Sequence, residues 1–505
     1  MRRGFVYVVS RFNRFGVGRA VTGVRPSGFC RAANPPLHPI CPEGRGWSGG
    51  PAVPNIHGAG LEGLRVKQGR GSRSGVNTAL PQRAQVAQQQ VPLGLAEAPG
   101  LRQSAPMSDV RAQYEAFPYP ERDPQDERKR LVTGSPSDPR ELDHYLFRGH
   151  RDWTRPLRVL VAGGGTGDGL IQLAQLLTSA GRPYDITYVD LSDASRAVAE
   201  ARAKIRGLGG ITFQTGSLLD AAALGRFDYI DCCGVLHHLP DPAAGFAALR
   251  AALAPGGGLG FMVYAPYGRS GVYPLQEAFG AVLAGLPPEE QLAAAREMFA
   301  RIPEGHPFKR NPQLGDHLQS DAGFFDLLLH SQDRAFAVPD LLEVLGATGW
   351  ALSGLRHSAC YDLRRFGSVP QGMDRAGQMA AAEKLSGAIK VHVGYAVAVG
   401  SGKCRADPKD HSCVPHLIGV PAGKLAQAVA KGRALPVTAG GDRATLTLPA
   451  AAAPLIAGVN GRRSLADIAK GARMAAPAFR RLWAQVDAAL EPWGVLLYSD
   501  LLRKA

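Results

Sequence analysis

RVLVAGGGTGDG, residues 158–169, is the stretch whose reading decides the fold. Four consecutive apolar residues, Val159, Leu160, Val161 and Ala162, have the composition of a strand buried on both faces, as in a parallel sheet covered by helices. The run passes straight into Gly163, Gly165 and Gly167, and an amphipathic helical pattern follows in Leu170, Ile171, Leu173, Ala174 and Leu177. Glycines at such a turn let the backbone bend sharply and let a ligand come closer than a Cβ permits. The first N–H groups of the helix behind them face outward, without partners, toward a polar ligand. A second apolar run, Ile186, Tyr188 and Val189, ends at Asp190, twenty-three residues after Gly167. There a carboxylate is placed to accept hydrogen bonds from a ribose diol.

The glycine spacing separates two kinds of nucleoside ligand. A dinucleotide fingerprint needs G-x-G-x-x-G, but from Gly163 the sixth position is Asp168 and from Gly165 it is Leu170. Neither register fits, which disfavours a nicotinamide-dependent oxidoreductase. The tighter G-x-G-x-G resembles motif I of the class I S-adenosylmethionine (SAM) methyltransferases, whose ligand has no pyrophosphate. FDYIDCC at 227–233 followed by GVLHHL at 234–239 resembles that family's fourth strand and its loop, 247–253 reads as a helix, and LAPGGG at 253–258 resembles the turn into the fifth strand. The resemblance covers residues 155–265 closely and 107–370 more loosely.

This resemblance implies SAM as the cofactor. It implies a binding set of Ala162, Gly163, Gly164, Gly165, Gly167, Asp190, Leu191, Ser217, Leu218 and Gly234. It also implies His237 and His238 on the methyl-acceptor side as the catalytic candidates. Two positions depart from the family. The acidic residue that many relatives carry two places before the first glycine is Val161 here, so a contact to the amino-acid end of SAM must come from elsewhere. The position often held by an adenine-binding Asp is Ser217, a weaker acceptor than a carboxylate, with Asp220 close by.

Alternating strands and helices from 155 to about 265 imply right-handed βαβ units. The expected fold is α/β: a doubly wound, mostly parallel seven-stranded sheet with a small α+β C-terminal domain. Residues 107–400 form the expected methyltransferase domain. Within it, 266–335 is an insertion over the active site, with helices expected at 275–284 and 289–302 and a loop rich in His, Asn and Asp. The segment holding Tyr114, Phe117, Pro118, Tyr119 and Pro120 cannot be a long helix; it resembles pieces that fold over the SAM pocket, or else packs on the outer sheet face. A helix is expected at 336–349 and a strand at 350–357, and 391–399 completes the sheet in an antiparallel edge hairpin. After a Gly/Lys/Asp-rich linker, 411–505 reads as a winged-helix-like domain: a helix capped by Ser464, a second helix at 479–490 and a strand at 493–498.

Charge narrows the list of partners. Residues 1–106 carry 14 Lys and Arg against Glu43, Glu62 and Glu97, a net +11 of the chain's +15. Only about +4 remains for 107–505, too little to argue a general nucleic-acid surface. The second C-terminal helix has Arg480 and Arg481 but also Asp487 and Glu491, so a protein-contact or homodimer-forming role is expected there rather than nucleic acid. Residues 1–106 are Gly-, Pro-, Arg- and Gln-rich and are expected to be disordered. Their opening is superficially like a transit peptide, but a mistaken start upstream of Met107 is the favoured reading. Seven cysteines without a C-x-x-C pair argue against a disulfide framework or zinc cluster and suit the cytoplasm. His237, His238, His306 and His317 lack ligand spacing, and no metal is expected. No uninterrupted apolar run reaches 18 residues, so no membrane span is expected.

Methyl transfer from a sulfonium is an in-line displacement, so the protein must chiefly align the reactants and exclude water. A base is needed only when the acceptor is a hydroxyl or a protonated amine. Beside His237 and His238, His330 is a candidate if the insertion carries it over the pocket, and Tyr264, Tyr267 and Tyr273 are candidates for shaping the acceptor site. Asp231 is expected to fix neighbouring backbone, and Cys232 and Cys233 to pack. The acceptor is expected to be a small molecule; the alternatives are a protein lysine, or a SAM-binding regulatory protein without catalysis.

Overall fold

The computed structural model describes residues 107–503 and the two-residue strand Val8–Val9. The expectations for the remainder of 1–106 lie outside the described residues. Seven strands build the main sheet: β1 Leu157–Ala162, β2 Tyr184–Asp190, β3 Ile211–Thr215, β4 Phe227–Cys233, β5 Leu253–Tyr264, β6 Trp350–Leu355 and β7 Val391–Ala398. Their spatial order is β3-β2-β1-β4-β5-β7-β6. Neighbours from β3 across to β5 run parallel, while β7 is antiparallel to both β5 and β6. The direction of winding reverses between β1 and β4, and a ligand crevice opens beyond the carboxyl ends at such a point.

The continuous apolar run in β1 has a simple cause. Val159 and Val161 point into one core, with Leu173, Tyr188 and Tyr229, while Leu160 and Ala162 point into another, with Ile230, Phe246 and Phe261. Successive side chains face opposite sides of a strand, so a sheet covered twice leaves no position for a polar residue. The run 391–398 is apolar for the same reason: β7 is the inner member of the edge hairpin, and Tyr395 and Ala396 are fully buried.

The helices that flank the sheet or lead into and out of it include α1 Met107–Ala116, α2 Pro139–Leu146, α3 Asp168–Ser179, α4 Asp193–Arg206, α5 Pro242–Ala252, α6 Val272–Val282, α7 Pro288–Ala300, α8 Asp321–Leu328, α9 Val338–Ala347 and α10 Arg375–Ser386. α3 starts from Gly167 at φ +96, a left-handed conformation that favours glycine, and a Cβ there would lie 2.9 Å from the Cβ of Ala199 on α4. α4 is capped by the Ser192 side chain, which accepts from Ser195 N–H. The insertion has its own small core of Val272, Phe279, Phe308, Phe324 and Phe325. Part of the expected polar loop is α8, started by Ser320, which accepts from Gly323 N–H.

Residues 121–130 are held by a buried ionic network rather than by apolar packing. Arg202 of α4, 1% exposed, donates to Glu127 at 2.6 and 2.8 Å, to Asp168 at 2.8 Å and to the Thr166 carbonyl at 2.7 Å. Arg206 also bonds Glu127, and Arg122 bonds Asp168. The network ties the lead-in to the first turn of α3, directly behind the glycine loop.

The C-terminal segment contains β8 Pro415–Leu417, α11 Ala422–Ala430, the hairpin β9 Leu435–Ala439 and β10 Asp442–Leu446, α12 Leu465–Gly471, α13 Ala476–Leu490 and β11 Leu496–Tyr498. The Ser464 cap of α12 is a full capping box with Asp467. β11 pairs with β8, and its end is bonded to α2: Ser499 Oγ and Asp500 N–H both donate to Asp143. One hydrophobic core runs from β1 through β7 to Trp483 and Tyr498. Asp487 and Glu491 do not form the mixed-charge solvent face inferred from sequence. Asp487 accepts from Tyr498 OH at 2.7 Å, and Glu491 is buried against His144 and Arg405.

Candidate active site

The expected cofactor residues fall along the carboxyl ends of β1 to β4. Ala162 closes β1, and the N–H groups of Gly163 and Gly164 both donate to the Val189 carbonyl, at 2.8 and 3.3 Å. Asp190 ends β2. Its Oδ2 accepts from Gly165 N–H at 2.7 Å and its Oδ1 from Ser192 N–H at 2.9 Å. Burial raises the Asp190 carboxyl above its ordinary value, against the backbone bonds that favour the charged form. An ionised carboxylate has about four lone-pair positions, more than these two bonds use. Tyr188 OH donates to the Gly165 carbonyl at 2.5 Å, which fixes the loop from below. Leu191 follows Asp190, and Gly216 N–H donates to the Asp190 carbonyl at 2.8 Å. Ser217 accepts from Leu219 N–H at 3.1 Å and Leu218 is buried beside it. Gly234, at φ +82, donates to the Met262 carbonyl at 3.0 Å.

The aromatic-proline segment lies over this loop. The Tyr119 carbonyl would be 2.9 Å from a Cβ at Gly165, and Thr166 Oγ1 donates to the Pro120 carbonyl at 2.6 Å. Ser192 Oγ donates to the Tyr114 carbonyl, while Glu115 accepts from the N–H groups of Asp193 and Ala194 at the start of α4. The segment thus packs on the glycine loop rather than on the outer sheet face.

His237 and His238 form a short 3-10 turn, Leu236–His238, just beyond β4. Both are buried, and both rings lie against Tyr264, with centroids at 3.8 and 5.5 Å. Being adjacent in sequence does not send them to opposite sides. His330 stacks on His238 with centroids 3.7 Å apart, so the insertion does bring it over the loop. The peptide groups of Gln332 set the protons of both rings. Its carbonyl lies 2.8 Å from His238 Nδ1, so that nitrogen carries a hydrogen, and in the neutral ring Nε2 is the acceptor. Its N–H donates to His330 Nδ1 at 3.0 Å, which places the proton of a neutral His330 on Nε2, 3.2 Å from Tyr114 OH. Tyr114 OH then donates to Asp326 Oδ1 at 3.1 Å, and Tyr264 OH donates to Oδ2 at 3.2 Å.

Electrostatics follow from burial. Desolvation holds His237 and His330 well below the ordinary imidazole value, so both are neutral, and it raises the Asp326 carboxyl. Among the described residues neither ring nitrogen of His237 has a hydrogen-bond partner. Arg269 covers Tyr264, its guanidinium 3.6 Å from the ring centroid, and pairs with buried Asp333 at 2.9 Å and Tyr273 OH at 3.1 Å. Tyr267 is half-buried. Asp231 holds side chains rather than neighbouring backbone: it accepts from Ser137 Oγ at 2.6 Å and Tyr229 OH at 3.3 Å, and burial pushes it up to about 6. Cys232 is fully buried and Cys233 half-buried. Asp326 and the Gln332 peptide are absent from the sequence reading, and Tyr114 entered it only as part of the aromatic-proline segment. Asp326 lies on α8 and His330 two residues beyond its end, so no helical spacing marked the pair.

Residues 160–259 match a family described as methyltransferase domain. An uncharacterized protein of a Synechococcus strain is 36% identical over 279 residues, 53% of this chain and 64% of that protein. The chain therefore spans a little under two thirds of that relative's length. Among solved structures, PKMT2 from Rickettsia typhi matches with a TM-score of 0.52 at 15% identity, covering 73% of this chain and 76% of that one. The same protein in complex with AdoHcy gives 0.49 at 15% identity, covering 72% and 76%. The fold is that of the PKMT2 structure, and residues 160–259 within it match a methyltransferase domain.

Proposed function

We propose that this chain transfers the methyl group of SAM to a protic nucleophile, a hydroxyl or an amine, of a small molecule held beneath the insertion. The observation that carries the reading is the fixed tautomer of His238. A backbone carbonyl holds its Nδ1–H, which leaves Nε2 as a basic atom in a buried cluster beside the glycine loop. SAM supplies an electrophilic methyl carbon on a good leaving group; the residues do the rest. Gly163 to Gly167 and Asp190 hold the nucleoside, with Leu191, Ser217, Leu218 and Gly234 completing the wall. His238 Nε2 accepts the proton that the acceptor releases, His237 offers a neutral nitrogen to position it, and Asp326 with Tyr114 and Tyr264 holds a second polar group of the acceptor. Closure by the lead-in and by 266–335 excludes water and favours a small acceptor over a protein chain.

Incubating methyl-labelled SAM with a small-molecule extract tests the reading. Label should appear in a small-molecule fraction. His238→Ala should lower its rate by about 10²- to 10⁴-fold, while SAM affinity stays within about twofold, the pattern of a group that acts on the reacting centre rather than in binding. Undiminished transfer by that variant would remove His238 from the chemistry.

A further inference from the structure

A second cluster lies away from the methyl-transfer site and uses residues with no role there. His150 follows α2, Asp410 and Cys413 precede β8, and Asp500 follows β11. His150 Nε2 lies 3.3 Å from Asp410 Oδ2 and 3.4 Å from Cys413 Sγ, while its Nδ1 lies 2.9 Å from Asp500 Oδ2. We propose that His150, Asp410 and Cys413 bind a zinc ion that clamps these three segments together.

Three features carry the assignment. The first is geometry. With Zn–N and Zn–O near 2.0–2.1 Å and Zn–S near 2.3 Å, tetrahedral angles separate neighbouring ligand atoms by about 3.3 Å for N···O and about 3.5 Å for N···S. The two separations seen here agree with those edges, and all three ligand atoms lie within 4.8 Å of one another. The second feature is orientation. A ligating histidine nearly always donates its other N–H to a carboxylate or carbonyl; Asp500 accepts from Nδ1, and Nε2 faces Asp410 and Cys413, with Ser412 Oγ also 3.3 Å away. Asp410 is held in the same way: its Oδ1 accepts from Ser412 N–H at 2.9 Å and from Ser412 Oγ at 2.6 Å, which leaves Oδ2.

The third feature is the donor set. One imidazole, one carboxylate and one thiolate suit zinc among the common divalent ions. Two anionic donors cancel the charge of the ion, and binding releases the Cys413 S–H proton to solvent, with the Nε2 proton if the ring is charged. The Cys413 side is buried, whereas His150 and Asp410 keep side-chain exposures of 28% and 38%, so the ion has an entry path and a water can take the fourth position. No zinc pattern is visible in the sequence because His150 stands 260 residues from Asp410.

The experiment uses the full chain, stripped with a chelator and dialysed against zinc. The expected result is one equivalent of zinc per chain by elemental analysis, a higher thermal midpoint with zinc than without, and a thiolate-to-metal charge-transfer band when cobalt(II) replaces zinc. Cys413→Ser should lose the band, and its zinc affinity should fall at least about 100-fold, the upper end of what losing even an outer partner of a ligand costs. If Cys413→Ser does not fold, Asp410→Asn replaces it, and retained affinity in that variant overturns the site. A wild-type chain that takes up less than a tenth of an equivalent also overturns it, and leaves a hydrogen-bonded Cys–His–Asp cluster only. Methyl transfer does not enter the readout, so failure here is separate from failure of the proposed activity.

Discussion

Asp190 reaches its place through two backbone bonds, from Gly165 and Ser192, that hold both carboxylate oxygens at the mouth of the crevice. Replacing it with alanine should weaken SAM binding at least about tenfold, roughly 1.4 kcal/mol. An asparagine side chain in its place keeps one acceptor oxygen, so Asp190→Asn should fall between wild type and Asp190→Ala in a calorimetric titration. Equal affinities for all three chains would mean that the ribose is held elsewhere. The place of this residue was legible in sequence because an acid at the end of a second strand is a local pattern. The turn from Ala162 through Gly167 was legible for the same reason, and so was the loop that carries the histidine pair. The carboxylate cluster was not: Asp326 meets Tyr114 and Tyr264 only after separations of 212 and 62 residues are closed by the fold. The sequence also does not say which nitrogen of His238 carries the proton, because that is decided by one carbonyl 94 residues away.

At the scale of elements, apolar runs marked the strands of the main sheet other than β3, and the failures have physical causes. β3 is an edge strand of five residues with no fully buried side chain, so it carries no apolar run of its own. α8 was missed because it spans only eight residues, Asp321–Leu328, and is apolar nearly all round, without the one-sided stripe that marks a surface helix. The β9–β10 hairpin was missed although its signal is present: Gly440 and Gly441, at φ +55 and +84, join strands whose burial alternates along 435–439. The lead-in was read through its aromatics, whereas its strongest anchor is ionic. Arg202→Met should destabilise the fold by about 3 kcal/mol, the lower end of the cost of breaking a buried pair, because Arg206 still faces Glu127. Urea denaturation measures the change. A loss below about 1 kcal/mol would show that the network contributes little beyond an exposed pair. The same variant should weaken SAM binding, since Asp168 in the first turn of α3 would keep only Arg122.

For the molecule as a whole, a linker and a change of pattern near 400–410 suggested two modules, and the structure adds how closely they are joined. β11 packs on α2, and one core serves both. That junction contains a histidine whose titration makes stability depend on pH. His416 is buried, donates from Nε2 to the Ser499 carbonyl at 2.8 Å, and is pushed down to about 4 by desolvation. Its unfolded value is near 6.5. The folded value is the lower one, so the fold favours the neutral ring. The contribution is therefore present above about pH 6.5 and is lost as pH falls through 6.5 toward 4, by up to about 3 kcal/mol. Asp143 at the same junction works in the opposite direction. Burial raises its carboxyl to about 6, so its contribution is present below its unfolded value near 3.9 and is lost as pH rises through 6. Total stability mixes the two, and the informative quantity is the difference between wild type and His416→Gln, which keeps a donor toward Ser499 without an ionisable ring. Measured by urea denaturation, the advantage of wild type should shrink steadily between pH 7 and pH 4. A difference that stays constant across that range would mean that His416 titrates alike in the folded and unfolded chains, and that acid acts on this junction through other groups.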